Sequence, residues 1–164
     1  MIFYIPKFRR GGLEKIFAKY IDNLSRFQLV TLLCDTASSD YLPKEILSNK
    51  SINCVYLPNT RTLRILMLWY YLIRSRESVI NAIQSDALRP IVLLGIFFKL
   101  NVIYHERTYV SRDKLKYLSK LLKFCRKPLI KILVNSDDQR VLFHEVFLDI
   151  PVERVFNPII NDDL

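Results

Sequence analysis

Short apolar runs alternate with amphipathic segments along almost the whole chain, and this alternation constrains the fold more than any other feature. Seven apolar runs are typical of buried strands, at residues 2–5, 27–34, 52–57, 78–83, 101–104, 129–134 and 152–156. Between them, helical spacing of apolar residues or a favourable helix start predicts helices over residues 13–24, 43–48, 62–76, 89 or 90 to 99, 113–126 and 136–147. Strands that alternate with helices predict a parallel sheet with right-handed crossovers. We therefore expect a single doubly wound α/β domain with helices on both faces of the sheet.

The charge of the chain restricts its partners. The 25 lysines and arginines exceed the 16 acidic residues and give a net charge of +9. This excess favours phosphate groups, a nucleic acid or an anionic membrane surface as partner. The sequence contains no nucleic-acid recognition motif, so we do not expect nucleic-acid binding. The three cysteines lack the spacing of a metal site or a disulfide framework, and we expect reduced thiols, no metal and no cofactor.

The first loop has the composition of an anion site. It carries Arg9, Arg10, Gly11 and Gly12 between the first predicted strand and the first predicted helix. Adjacent glycines let a backbone turn sharply and approach a ligand, and the following helix start presents N–H groups with a positive dipole end. A plain turn with tight packing is an equally good interpretation of the same residues.

Polar clusters follow three further predicted strands, and parallel strands would bring all of them to one edge of the sheet, where ligands bind. The residues concerned are Gln84 and Ser85, then His105, Glu106 and Arg107, then Asn135 and Ser136. His105 is a candidate base or hydrogen-bond partner for a hydroxyl group, or only a polar residue that ends a strand. Arg107 pairing with Glu106, and Ser136 capping a helix, are simpler interpretations of those residues.

One predicted helix combines a basic side with an apolar stripe of Leu115, Leu118 and Leu122. Its candidate membrane contacts are Lys116, Lys120, Lys123, Arg126 and Lys127. This pattern is typical of a helix that lies on an anionic membrane, and also of a helix whose stripe packs on a sheet while its lysines are solvated. The apolar helix at 62–76 is a second candidate contact with lipid or with a partner domain. We expect neither a signal peptide nor a spanning helix, because the apolar runs fall short of the roughly 18 residues required.

Four segments, taken in order, resemble a known family. Arg10-Gly11-Gly12-Leu13-Glu14-Lys15 is similar to the opening of the amino-terminal domain of GT-B glycosyltransferases, in the large retaining group 1 family of bacteria. Residues 102–107 resemble that family's strand that ends in His or Ser before an acidic residue. Residues 134–136 resemble its step from a strand to Ser, and residues 155–160 its Asn-Pro strand that leads into a second domain.

The resemblance implies a Rossmann-like acceptor-binding domain over residues 1–157 and the start of an interdomain linker at 158–164, without the donor-binding domain. The implied reaction moves a sugar from a nucleotide-sugar donor to a lipid-linked glycan acceptor during cell-surface polysaccharide synthesis. It implies that the isolated chain is inactive, and that a longer polypeptide or a partner chain supplies the donor half. It also implies a cytoplasmic location, peripheral on the inner face of the membrane.

The implied site residues follow from the matching segments. The implied catalytic residues are His105 and Glu106, and the implied acceptor or phosphate contacts are Arg10, Gly11, Gly12, Gln84, Ser85, Arg107, Asn135 and Ser136. The alternative function, from another class, is a stand-alone, non-catalytic module that binds a membrane surface or a partner protein.

Overall fold

The described part of the chain forms seven strands and six helices in strict alternation. The computed structural model describes residues 1–7, 12–36, 41–75, 78–123 and 129–155. The strands are β1 (Ile2–Ile5), β2 (Val30–Asp35), β3 (Ile52–Leu57), β4 (Val79–Ile83), β5 (Asn101–Glu106), β6 (Leu129–Val134) and β7 (Val152–Arg154). The helices are α1 (Gly12–Ser25), α2 (Lys44–Ser48), α3 (Arg61–Arg74), α4 (Ser85–Gly95), α5 (Arg112–Lys123) and α6 (Asp137–Val146).

All seven strands form one parallel sheet in the order β3-β2-β1-β4-β5-β6-β7. The chain winds outward from β1 to β3, returns to the centre, and then winds outward from β4 to β7. The strand order therefore reverses between β1 and β4, where a doubly wound sheet opens a crevice at its carboxyl edge. The predicted fold class, a doubly wound α/β domain of the Rossmann-like type, is confirmed.

The helices divide between the two faces of the sheet. On one face, Phe3 and Ile5 of β1 are buried with Phe17 of α1 and with α2. On the other face, Tyr4 and Ala82 are buried in a core that α3, α4, α5 and α6 complete. Alternate side chains of each strand point to opposite faces, so strands with apolar residues at successive positions are covered on both sides.

The predicted bounds of β2 and β5 are wrong at one end. Residues 27–34 were expected to form one strand, but β2 begins at Val30, and Phe27 and Leu29 are 86% and 77% exposed. The amide of Phe27 donates to the carbonyl of Leu24, so the chain is still turning out of α1 at this point. Conversely, β5 was expected to stop at residue 104 but continues to Glu106, because β4 pairs with it as far as His105 and β6 as far as Glu106.

The predicted start of α4 at residue 89 or 90 is also wrong. The helix begins at Ser85, and Pro90 lies inside it. A proline is tolerated best in the first turn of a helix, which is why the sequence favoured a later start. Buried residues on both sides of Pro90, among them Ala87, Leu88 and Ile91, stabilise the longer helix by packing.

Candidate functional site

A cleft of about 610 Å³ opens at the carboxyl edge of the sheet. Its lining residues are Pro6, Lys7, Gln84, Ser85, Asp86, Thr108, Tyr109, Val110, Ser111 and Lys114. They belong to the segments that follow β1, β4 and β5. The cleft thus lies at the point where the strand order reverses, which is the position expected for a ligand in a sheet of this type.

The charges around the cleft favour an anion, with one acidic residue among them. Lys7 and Lys114 are exposed lining residues. The Lys114 ammonium lies 3.5 Å from a carboxylate oxygen of Asp86, and both side chains are well exposed. An exposed pair of this kind is weak, so Lys114 can exchange its partner for a phosphate. The amino-terminal end of α4 at Ser85 adds the positive end of a helix dipole.

Gln84 joins β4 to α4 in an unusual backbone conformation. Its φ of 69° and ψ of 160° lie in a region that glycine alone occupies readily, and no other non-glycine residue in the described ranges has a positive φ. The Gln84 amide donates to the carbonyl of His105 at 2.8 Å, and its carbonyl accepts from the amide of Ala87. These bonds hold the strained residue on the wall of the cleft, and stored strain of this kind concentrates at ligand sites.

The carboxylate of Glu106 is fully buried and organises the turn that follows β5. One oxygen accepts hydrogen bonds from the amides of Arg107 and Thr108, both at 3.0 Å, and from the Thr108 hydroxyl at 2.7 Å. The other oxygen accepts from the Tyr104 hydroxyl at 2.5 Å. Burial, followed by the nearby Glu106, raises the pKa of Tyr104 well above its ordinary value, so that Tyr104 remains a donor.

Two side-chain amides, one directly after β6 and one in α6, donate to carbonyls of the same turn. The side chain of Asn135 donates to the carbonyl of Arg107 at 3.1 Å, and that of Gln139 donates to the carbonyl of Thr108 at 2.6 Å. The backbone of residues 107 and 108 is thereby bonded through both its amides and its carbonyls. This arrangement fixes the start of the cleft wall at Thr108.

His105 lies on the opposite face of β5, outside the lining of the cleft. Its Nε2 is 2.9 Å from Oδ1 of Asn81, and the ring of Phe17 meets it edge to face at 5.5 Å. Because the Asn81 amide group donates to the carbonyl of Ile2, its oxygen accepts from His105. Burial, and then the charge of Arg107, lower the pKa of His105 from 6.5 to about 3, so the ring is neutral near pH 7.

The other site residues expected from the sequence are distributed as follows. Gln84 and Ser85 line the cleft, and Gly12 is the first residue of α1. The Ser136 hydroxyl accepts from the amide of Gln139 and caps α6, as the simpler interpretation had it. The Arg107 guanidinium donates to the carbonyl of Val155 at 2.9 Å. Arg10 and Gly11 lie outside the described residues.

The apolar stripe of α5 packs on the sheet. Leu115 and Leu118 are buried in the core beneath α5, so the interpretation in which this stripe meets the protein is correct. Lys116, Lys120 and Lys123 point outward, while Arg126 and Lys127 lie outside the described residues. In the part of the chain that the structure describes, no helix combines the length and apolarity needed to cross a membrane.

Several cleft residues were not predicted. The segment that begins two residues after β5 supplies four of them, which were missed because this strand was predicted to end two residues too early: Thr108, Tyr109, Val110 and Ser111. Lys7 lies in the first loop but precedes the arginines and glycines whose composition indicated an anion site.

A comparison with models of known protein families and with curated proteins finds no match for this chain.

We predict that glycine is preferred to alanine at position 84. Both Gln84→Gly and Gln84→Ala remove the side chain, but only glycine adopts a positive φ together with an extended ψ without strain. We expect Gln84→Gly to be the more stable of the two by about 1 kcal/mol in urea unfolding. The matched control is Lys116, exposed inside α5, where alanine should be preferred as in ordinary helices. If alanine is the more stable variant at position 84 as well as at position 116, Gln84 is not strained.

We also predict that protonation of His105 lowers the free energy of unfolding of the natural chain at mildly acidic pH. Because its folded pKa of about 3 lies below 6.5, the unfolded chain binds the proton first, so its contribution is complete above pH 6.5 and is lost as pH falls towards 3. The slope should approach about 1.4 kcal/mol per pH unit. The measurement is urea unfolding from pH 7 to 4 for the natural chain and for His105→Gln, which retains a donor. Parallel curves would show that His105 does not titrate in this way.

Proposed function

We propose that this chain is the acceptor-binding half of a nucleotide-sugar-dependent glycosyltransferase, and that the acceptor binds in the cleft between the ends of β1, β4 and β5. The observation that carries the proposal is the position of the cleft at the reversal of the strand order, between Lys7 on one side and Lys114 on the other. The ordered resemblance of four sequence segments to GT-B enzymes supports the same assignment by analogy.

The chemistry of the lining suits a glycan joined to phosphate. Lys7, Lys114 and the start of α4 supply positive charge for phosphate oxygens. Gln84, Thr108 and Ser111 supply amide and hydroxyl groups that can donate to and accept from sugar hydroxyls. Tyr109 is 86% exposed at the cleft and offers an aromatic surface to the apolar side of a sugar ring.

In this proposal a second domain brings the nucleotide sugar to the open side of the cleft. The residues at the cleft bind and orient the acceptor, and transfer requires both halves. Glu106 acts by holding the turn at residues 107 and 108, and His105 by supporting β4 and β5 through Asn81. A direct catalytic contact of either residue with the acceptor remains a prediction of the resemblance.

We further propose that the chain works at a membrane surface, where a lipid-linked acceptor is available. The exposed lysines of α5 and the net charge of +9 support this location. The same charges support the second candidate function, a non-catalytic module that binds a membrane or a partner protein. The two functions differ in whether the cleft binds a sugar.

Ligand binding distinguishes these functions. We expect the chain to bind a short-chain isoprenyl diphosphate sugar in calorimetry, and to bind UDP-glucose or GDP-mannose at least about tenfold more weakly, a difference of about 1.4 kcal/mol. Lys7→Ala with Lys114→Ala should weaken acceptor binding by a similar factor, because both charges on the phosphates are lost. The matched control is Lys99→Ala, an exposed lysine that does not line the cleft.

Two results would contradict the proposal. Tighter binding of the nucleotide sugars would make the cleft a donor site. Absence of binding by the isoprenyl diphosphate sugar, with the natural chain folded, would favour the non-catalytic module.

A further inference from the structure

The outer side of α3 carries a line of exposed apolar residues. Leu63, Leu66, Met67 and Tyr70 are 53%, 56%, 37% and 56% exposed. Their spacing of three, four and seven residues places them on one side of the helix. We call these four residues the α3 ridge. Single exposed apolar residues are common, but a contiguous line of them marks an interaction surface.

The α3 ridge is held rigidly. Leu68 and Leu72 on the inner side of α3 are completely buried in the core. Near the start of the helix, Arg64 donates to the carboxylate of Asp35 at 2.8 Å and to the carbonyl of Asn59 at 2.7 Å. These contacts fix the helix against the sheet, so the ridge is presented without any rearrangement of the fold.

The charge of α3 is entirely positive. The helix contains three arginines and no acidic residue. Arg61 at its first position and Arg74 at its last are exposed, and the Arg74 guanidinium donates to the Tyr70 hydroxyl at 2.8 Å. An apolar line with cations at both ends has the chemistry of a helix that lies in an anionic lipid interface.

The neighbouring helices extend this basic surface. The Trp69 indole donates to the carbonyl of Pro90 at 3.2 Å and so joins α3 to α4. The Arg89 guanidinium lies 5.6 Å from the centre of the Tyr117 ring and joins α4 to α5. The exposed lysines of α5 therefore belong to the same side of the molecule as the ridge.

A second copy of α3 does not complement the ridge. Packing α3 against itself brings Arg61 near Arg74 of the other copy in an antiparallel arrangement, or like residues together in a parallel one. The helix has no acidic residue to compensate either arrangement. Lipid phosphates, in contrast, complement the arginines while acyl chains cover the apolar residues.

We propose that the α3 ridge is the element that inserts into an anionic membrane surface, with α5 supplying charge beside it. Leu63, Leu66 and Met67 enter the interface, Tyr70 lies at headgroup level, and Arg61 and Arg74 bind lipid phosphates. This inference rests on the membrane location proposed above, but it does not depend on sugar transfer.

Flotation with lipid vesicles tests the proposal. The vesicles contain phosphatidylcholine alone, or phosphatidylcholine and phosphatidylglycerol in equal parts. We expect the natural chain to float with the anionic vesicles and not with the neutral ones. Leu63→Glu with Leu66→Glu should reduce flotation at least about tenfold, because placing charged side chains in the apolar part of the membrane interface costs free energy. Leu148→Glu, at an 84% exposed residue of the loop after α6, is the matched control and should float normally.

Two further measurements make the result decisive. Leu63→Gln with Leu66→Gln removes the apolar groups without adding charge. This variant replaces the double glutamate variant if circular dichroism shows that the latter is unfolded. Trp69 is the only tryptophan of the chain, and it lies on the inserted helix. Lipids brominated in their acyl chains should therefore quench its fluorescence in the natural chain and not in the ridge variants.

Several outcomes would overturn the proposal. They are flotation of the ridge variants like the natural chain, absence of flotation by the natural chain, and a natural dimer that the ridge variants convert to monomers. Binding of the isoprenyl diphosphate sugar is measured on the same proteins. Loss of flotation with retained sugar binding supports the ridge, while absence of sugar binding in every form contradicts the proposed function alone.

Discussion

The buried carboxylate of Glu106 is the interaction on which the site depends. A carboxylate is stable in a protein interior only where donors replace the water it has lost. Here two amides and two hydroxyls donate to the carboxylate. Three of these four donors belong to Arg107 and Thr108, in the turn that follows β5. The requirement to satisfy one buried group therefore determines the path of the backbone at the end of β5, and with it the position of the cleft wall.

The topology of the sheet places that wall beside a crevice. Because the order of strands reverses between β1 and β4, the segments after these strands diverge and leave a crevice that β5 closes from one side. The crevice faces the carboxyl edge, while the α3 ridge lies on the outer surface of the helices. A ligand in the cleft and a lipid surface on α3 would thus occupy different parts of the molecule, which allows their contributions to be measured separately.

The apolar pattern of the sequence predicted the layered fold well and the site only in part. The predicted bounds of β1, β3 and β6 agree with the structure because their apolar residues begin and end with the strands. The pattern could not predict that His105 and Glu106 belong to β5, since they are polar residues whose burial depends on hydrogen bonds to other side chains and to the following turn. Asn135 and Gln139 contact the turn from 28 and 31 residues away, and Gln84 has a positive φ without a glycine to signal it.

Hydrogen exchange at the turn after β5 tests the central claim most directly. The amides of Arg107 and Thr108 donate to Glu106, so we expect both to exchange as slowly as the paired amides of β5 in the natural chain. In Glu106→Ala they should exchange at least about tenfold faster, while the amide of Val102 in the middle of the strand keeps most of its protection. Fast exchange at residues 107 and 108 in the natural chain, or unchanged protection in Glu106→Ala, would contradict the account.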